Sequence, residues 1–245
     1  MKFPLEDKTI LITGGTSGIG LELVRKLHAN NQLLVIGRNN EKLSSLADAC
    51  PGIRTFRADL AKPNSLKLPA EQISEQFPAV DLLINNAAVQ YTPKFTDAEF
   101  QPTHIADEIA VNFTSPAMLI ALLLPVLLKN TPSAILNVNS GLGIVPKKTS
   151  AIYCGTKGGL DIFSRSLRNQ LEHTNISVLQ AFMPLVDTPM TEGRGRGKIS
   201  AGDAAERAIK GVQQLNPSND IGNVKILRLL SRIAPPLARS IMKKR

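Results

Sequence analysis

Tyr153 and Lys157 stand four residues apart in Tyr153-Cys154-Gly155-Thr156-Lys157, a spacing that in a helix sets a phenol and an ammonium on the same face. A free phenol has a pKa of about 10, and a neighbouring cation favours the phenolate, bringing the group into range of general acid and base work. Taken alone, the pair also fits the exposed face of an amphipathic helix. A second feature lies near the N-terminus, where a short apolar run opens into Thr13-Gly14-Gly15-Thr16-Ser17-Gly18-Ile19-Gly20. Leu21, Leu23, Val24 and Leu27 follow at helical spacing. Strand, glycine turn and helix together bring backbone N–H groups and a positive helix end against a pyrophosphate. Glycine serves there because a Cβ would block close approach. The spacing is GxxxGxG rather than the GxGxxG of the common dinucleotide fingerprint. An NAD site ordinarily places an acid about 20 residues further on, for the ribose 2′-hydroxyl. Here the second strand ends Ile36-Gly37-Arg38-Asn39. With the acid missing and a guanidinium beside the vacancy, a 2′-phosphate is the better guest, so NADP(H) is expected over NAD(H). Arg38 also fits the start of a solvated helix. Asp59, in Arg57-Ala58-Asp59-Leu60, has the chemistry to accept a hydrogen bond from an adenine amino group or to cap the next turn.

Positioning these groups is the work of alternating strands and helices. Thr9–Ile12, Leu33–Ile36, Ile53–Phe56, Asp81–Ile84, Ala134–Val138 and Ile176–Gln180 read as strands, with helices near 18–30, 39–49, 63–76, 103–130 and 150–173. Strands without clean polar alternation suit a sheet covered on both faces. The alternation predicts an α/β fold with a doubly wound parallel sheet in three layers. A single domain is expected over 1–224, with a mobile substrate loop at 185–200 and a basic amphipathic extension at 225–245. The stretch Thr191-Glu192-Gly193-Arg194-Gly195-Arg196-Gly197-Lys198 is read as a candidate lid or linker, because glycines alternate with like charges.

In combination these motifs resemble the short-chain dehydrogenase/reductase family over nearly all of the chain up to about residue 190. The resemblance rests on the glycine loop at 13–20, Asn85-Asn86-Ala87-Ala88, Asn112, Ser140 and the Tyr153/Lys157 pair, in order and with intervals of 28, 13 and 4 between the last four. It implies a Rossmann-type domain that binds a nicotinamide cofactor and interconverts a carbonyl compound and an alcohol. Tyr153 would be the proton donor and acceptor, and Ser140 would orient the carbonyl oxygen. Lys157 would depress the Tyr153 pKa and hold the nicotinamide ribose, and Asn112 would anchor a water linking Lys157 to solvent. The resemblance also implies cofactor contacts from Gly14, Thr16, Ser17, Gly18, Ile19, Gly20, Leu60, Asn86 and Ala87, and from Pro184, Val186 and Thr188 in the segment after the sixth strand. Two departures stand out: Ala88 and Leu185 occupy positions where the family carries glycine. The ending, with Arg232-Ile233-Ala234-Pro235, resembles a subgroup of bacterial oxidoreductases encoded beside teichoic-acid D-alanylation genes. A homo-oligomer, dimer or tetramer, is expected from the family's habit of pairing the helices at 115–128 and 151–171. A non-catalytic dinucleotide sensor on the same fold is the rival reading; it has no need for all four reacting residues together.

Composition bounds the rest. The chain has 245 residues and a net charge of +9, which would ordinarily point to an acidic partner. Residues 1–193 are balanced, and residues 194–245 carry twelve basic against three acidic side chains, so the excess belongs to the tail. Without interleaved aromatic residues that tail does not suggest nucleic acid. A basic amphipathic helix there raises contact with a membrane surface; the alternative is a helix docked on its own domain with a solvated outer face, and Pro235-Pro236, which breaks the helix in two, weakens the membrane case. The apolar run Ser115–Leu128 is shorter than the roughly 18 residues of a membrane span and is read as a buried helix. Cys50 and Cys154 have no pairing motif, and His28, His104 and His173 no ligand spacing, so no metal is expected. The N-terminus lacks a secretory h-region, and a cytoplasmic setting is expected. Substrate contacts are expected from Gln90, Tyr91, Leu142–Val145, Met183–Leu185 and the 191–200 stretch.

Overall fold

Strands that are apolar at nearly every position are stable only where both faces of the sheet are covered. The computed structural model describes residues 2–130 and 132–243; Met1, Thr131, Lys244 and Arg245, two of them basic residues of the tail, lie outside the described residues. Strand β1 (Thr9–Thr13) leads to helix α1 (Gly18–Leu27), β2 (Gln32–Gly37), α2 (Asn40–Ala49), β3 (Arg54–Arg57), α3 (Lys67–Gln76) and β4 (Leu82–Asn85). Next come α4 (Thr103–Ile109), a π-helical turn (Ala110–Thr114), α5 (Ser115–Leu127), β5 (Ser133–Ser140), α6 (Ala151–Gln170) and β6 (Ile176–Met183). The last part adds β7 (Val186–Asp187), β8 (Ile199–Ser200), α7 (Ala201–Gln213), β9 (Asn219–Asp220), α8 (Val224–Ile233) and α9 (Pro235–Lys243).

Seven strands form one parallel sheet in the order β3-β2-β1-β4-β5-β6-β9. Ile10 and Ile12 of β1, with Leu33 and Val35 of β2, face the layer of α1, α2 and α7. Leu11, Leu34 and Ile36 face the layer of α3 and α5. Each such side chain contributes about 1.5–3 kcal/mol by leaving water. The order reverses between β1 and β4, and in sheets of this kind ligands bind at the carboxyl ends of the strands beside that reversal.

Helices α4 and α5 run through the π turn as one helix, Thr103–Leu127, long and apolar enough to cross a membrane. Leu119, Ile120, Leu123, Val126 and Leu127 form a stripe at helical spacing that is buried on the sheet, as the reading of a buried helix requires. The structure also holds α7, which the apolar pattern did not reveal; its start is marked by Ser200, whose hydroxyl accepts the Asp203 N–H at 2.9 Å. The tail breaks at Pro235 as expected, and it docks on its own domain. Ala238 and Met242 of α9 pack on Val145 together with Leu142, Ile144, Leu227 and Leu230, so α8 and α9 close over the loop that follows β5.

Arg228 secures this closure. Its guanidinium donates to both carboxylate oxygens of Asp220 at 2.6 and 2.7 Å and lies 4.3 Å from the centre of the Phe182 ring. Removing it in Arg228→Ala leaves a mostly buried carboxylate without its partner, a loss of about 1–3 kcal/mol. Amide exchange is expected to accelerate over residues 224–243 while β1 and β5 keep their protection. Unchanged exchange in α8 and α9 would contradict this role.

Candidate active site

The turn after β1 is shaped by backbone crowding. Gly14 and Gly18 adopt φ of +70° and +54°, and a Cβ on Gly20 would overlap the Gly14 carbonyl oxygen. Asn86 braces the turn from β4: its side-chain amide donates to the Thr13 and Gly14 carbonyls at 3.0 and 3.2 Å. Thr13 Oγ1 accepts the N–H groups of Asn86 and Ala87 at 3.1 Å each. Ser17 precedes α1 without a side-chain cap, and no acid sits in the first turn. The first N–H groups of α1 therefore end unsatisfied beside an open cleft, which is the physical requirement for an anion site.

That cleft is a cavity of about 1180 Å³, above the roughly 300–1,000 Å³ of an ordinary small-molecule site. Its volume suits a dinucleotide together with a second molecule. Gly14, Thr16, Ser17, Gly18, Ile19 and Gly20 line it on the β1 side. Arg38, Asp59 and Leu60 line the β2 and β3 ends, Asn86 and Ala87 the end of β4, and Pro184, Val186 and Thr188 the far wall. Arg38 is exposed and makes no salt bridge among the described residues. Asp59 does cap its turn, accepting the Ala61 N–H at 3.1 Å. The residues fit a bound dinucleotide, with a cradle that a Cβ would fill at one end and a free guanidinium at the other.

Ser140, Tyr153 and Lys157 meet in the same cavity, Ser140 at the end of β5 and the other two on the buried side of α6. Burial raises the Tyr153 pKa to about 12, and the nearby Ser140 hydroxyl pulls it back only in part. Burial lowers that of Lys157 to about 8. The net direction for the phenol is thus upward and is set by burial. Lys157 Nζ lies 5.8 Å from the ring centre and donates at 2.8 Å to the Val138 carbonyl.

Asn112 does not line the cavity. It is fully buried in the π turn, exchanging two hydrogen bonds of 2.9 Å with the backbone of Val89 and donating to Thr156 Oγ1 at 3.2 Å. Its side chain therefore ties the segment after β4 to α6, a positioning role. π turns of this kind recur at functional sites. Ala88 and Leu185 need no glycine, since neither has positive φ. Among the expected substrate contacts, Gln90, Leu142, Met183 and Leu185 line the cavity. Tyr91 instead stacks on His104 with centroids 3.7 Å apart, and Ile144 and Val145 pack under α9.

The 191–200 stretch, read as a mobile lid, is tied at its base. β7 pairs with β8, and Lys198 reaches Asp187 at 3.1 Å and the Thr191 carbonyl at 2.7 Å. Beneath the reacting end lies a polar network that motif reading missed. Asn139 accepts the Ser140 N–H at 2.8 Å and donates to Gln180, which donates in turn to Asp161 of α6, both at 2.9 Å. The signal was present in Asn137 and Asn139, polar residues inside a strand that is buried throughout.

The family model for short chain dehydrogenases matches residues 8–198. The chain belongs to this family. It is accordingly an oxidoreductase. The uncharacterized oxidoreductase DltE of Bacillus subtilis is 35% identical over 189 residues, covering 77% of this chain and 75% of that protein. An uncharacterized oxidoreductase of Staphylococcus epidermidis is 28% identical, covering 86% of this chain and 93% of its own. Among solved structures, a short chain dehydrogenase of Burkholderia cenocepacia in complex with NADP superimposes with a TM-score of 0.88 at 20% identity, over 98% of this chain and 99% of that one. One from Burkholderia phymatum in complex with NAD gives 0.86 at 19% identity, over 97% of each chain.

Asn139→Ala leaves the Ser140 N–H and the Gln180 side-chain Oε1 buried without these partners and is expected to cost about 1–3 kcal/mol in denaturant unfolding. A variant as stable as the parent would remove the network from the account.

Proposed function

We propose that the protein uses NADP(H) in preference to NAD(H) to interconvert a carbonyl compound and an alcohol, with Tyr153 as general acid and base. The observation that carries this reading is the convergence of Ser140, Tyr153 and Lys157 on one cavity with the glycine turn and Arg38. The chemistry such a cofactor supplies when bound is donation or acceptance of a hydride at carbon. The glycine turn and the first turn of α1 would meet the pyrophosphate, Arg38 the 2′-phosphate and Asp59 the adenine edge. Pro184, Val186 and Thr188 lie where the nicotinamide end would be held. Since related structures hold NADP, NADPH or NAD, the preference rests on Arg38 and on the absence of an acid at the end of β2.

In the reducing direction Ser140 donates a hydrogen bond to the carbonyl oxygen and fixes it against Tyr153. With a pKa of about 12 the phenol carries its proton at neutral pH and delivers it to the oxygen as negative charge develops there. The phenolate left behind is disfavoured by burial, and the Lys157 cation offsets that cost before solvent restores the proton. Oxidation runs the same transfers in reverse. Exposed apolar surface on α6, where Ile162 is 58% exposed, suits pairing with a second copy.

Tyr153→Phe is expected to retain NADPH binding while turnover falls about 10²–10⁴-fold; full activity would remove Tyr153 from the mechanism. Arg38→Ala is expected to erase the difference between NADPH and NADH affinity, and tighter NADH binding by the unaltered protein would overturn the cofactor assignment. Because kcat/KM reports groups of the free enzyme, its value for NADPH should decline above pH about 8 as Lys157 loses its proton. A profile flat from pH 7 to about 10 would exclude Lys157 as the required cation.

A further inference from the structure

We infer that the substrate is an amphiphilic oxo acid: its carbonyl at Ser140 and Tyr153, an anionic head group on Arg194 and Lys147, and an apolar body along α8. This deepens the oxidoreductase reading and rests on it for the position of the reacting carbonyl.

The charge lining the cavity is uneven. Arg38, Lys147, Lys157, Arg194 and Arg196 line it with a single acid, Asp59, which sits at the end of β3, where the adenine edge is placed. Arg38 shares that end and Lys157 lies beside Tyr153, so Lys147, Arg194 and Arg196 remain for the other molecule, facing no lining carboxylate among the described residues. Glu108 stands near Tyr153 and Cys154. It is buried outside the cavity, where it accepts the Tyr91 N–H at 2.8 Å.

Arg194 is held in place without being neutralised. It donates to Gln90 Oε1 at 3.2 Å, and its own N–H donates to the Thr191 carbonyl at 3.0 Å. Other basic residues of the C-terminal part do have acids, Lys198 with Asp187 and Arg228 with Asp220. Arg194 and Lys147 form no salt bridge among the described residues although both are half-buried. Burial lowers both their pKa values, and the Arg194 charge lowers that of Lys147 further. Arg194 and the Tyr153 phenol also feel each other's charge, which sets this cation beside the reacting end. Two like charges kept partly out of water are costly until an anion joins them. A guanidinium and an ammonium together suit a carboxylate, the first by a two-point fork and the second as a point charge.

The loop that carries Arg194 is built to keep it there. Gly193 and Gly195 adopt φ of +67° and +66°, and Gly195 packs so closely on Leu185 that a Cβ would overlap that side chain. Leu142, Leu185, Ile226, Leu227, Leu230 and Met242 supply apolar wall to the same cavity. A polar substrate would leave that wall unused, and a neutral one would leave the two cations unpaired.

The test is calorimetric titration of octanoate and of octanamide into the full chain, with and without saturating NADP+. Octanoate is expected to bind at least roughly tenfold tighter, the difference a charge-assisted pair provides. That preference should disappear in Arg194→Gln combined with Lys147→Gln and persist in Tyr153→Phe, with NADPH affinity unchanged in the double variant. Equal affinity for the two ligands, no binding of octanoate, or a double variant that loses NADPH and keeps the octanoate preference would each overturn the proposal. The oxidoreductase reading is judged separately by turnover in Tyr153→Phe.

Discussion

A single close approach organises the molecule: the α carbon of Gly20 lies so near the Gly14 carbonyl that no side chain can intervene. It lets α1 start directly above the end of β1, so that the unsatisfied N–H groups of its first turn open into the cleft. Asn86 locks the same carbonyl from β4, and this couples the glycine turn to the reversal of strand order in the sheet. The cleft then follows from topology, since β4, β5 and β6 present their carboxyl ends to the same side.

The reacting end depends on burial in a different way. Tyr153 and Lys157 are both out of water, and desolvation drives each toward its neutral form, the phenol upward and the ammonium downward. The site is thus poised with a proton on the phenol. It holds that geometry through hydrogen bonds that run from Ser140 through Asn139 and Gln180 to Asp161. Asn112, at the π turn, fastens the segment after β4 to the same helix. Through these hydrogen bonds Asn139, Gln180, Asp161 and Asn112 fix where Ser140 and α6 stand.

Much of this was legible in local pattern. The six long strands, the helices between them and the order of glycine turn, serine, tyrosine and lysine all depend on near neighbours in the chain, where periodicity and spacing carry information. What escaped depends on distant ones. The strands β7, β8 and β9 have two residues each and exist only through their partners. Gln90 meets Arg194 across 104 positions, and no spacing rule links them. The rise in the Tyr153 pKa was not legible, because i, i+4 geometry reports the cation but not the depth of burial. The tail left both a docked helix and a membrane-surface helix open, since its charges were visible and the packing of Met242 on Val145 was not. Within the tail, Arg228 is paired with Asp220, whereas Arg194 faces the cavity.

The central claim is that the glycine turn holds a dinucleotide by its backbone, and equilibrium binding tests it most directly. NADPH fluorescence is to be titrated with the unaltered protein and with Gly20→Ala, each shown by circular dichroism to retain its helices. Saturable binding by the unaltered protein and none by Gly20→Ala over the same concentrations is the predicted result. NADPH binding of equal strength by the two proteins would contradict the account.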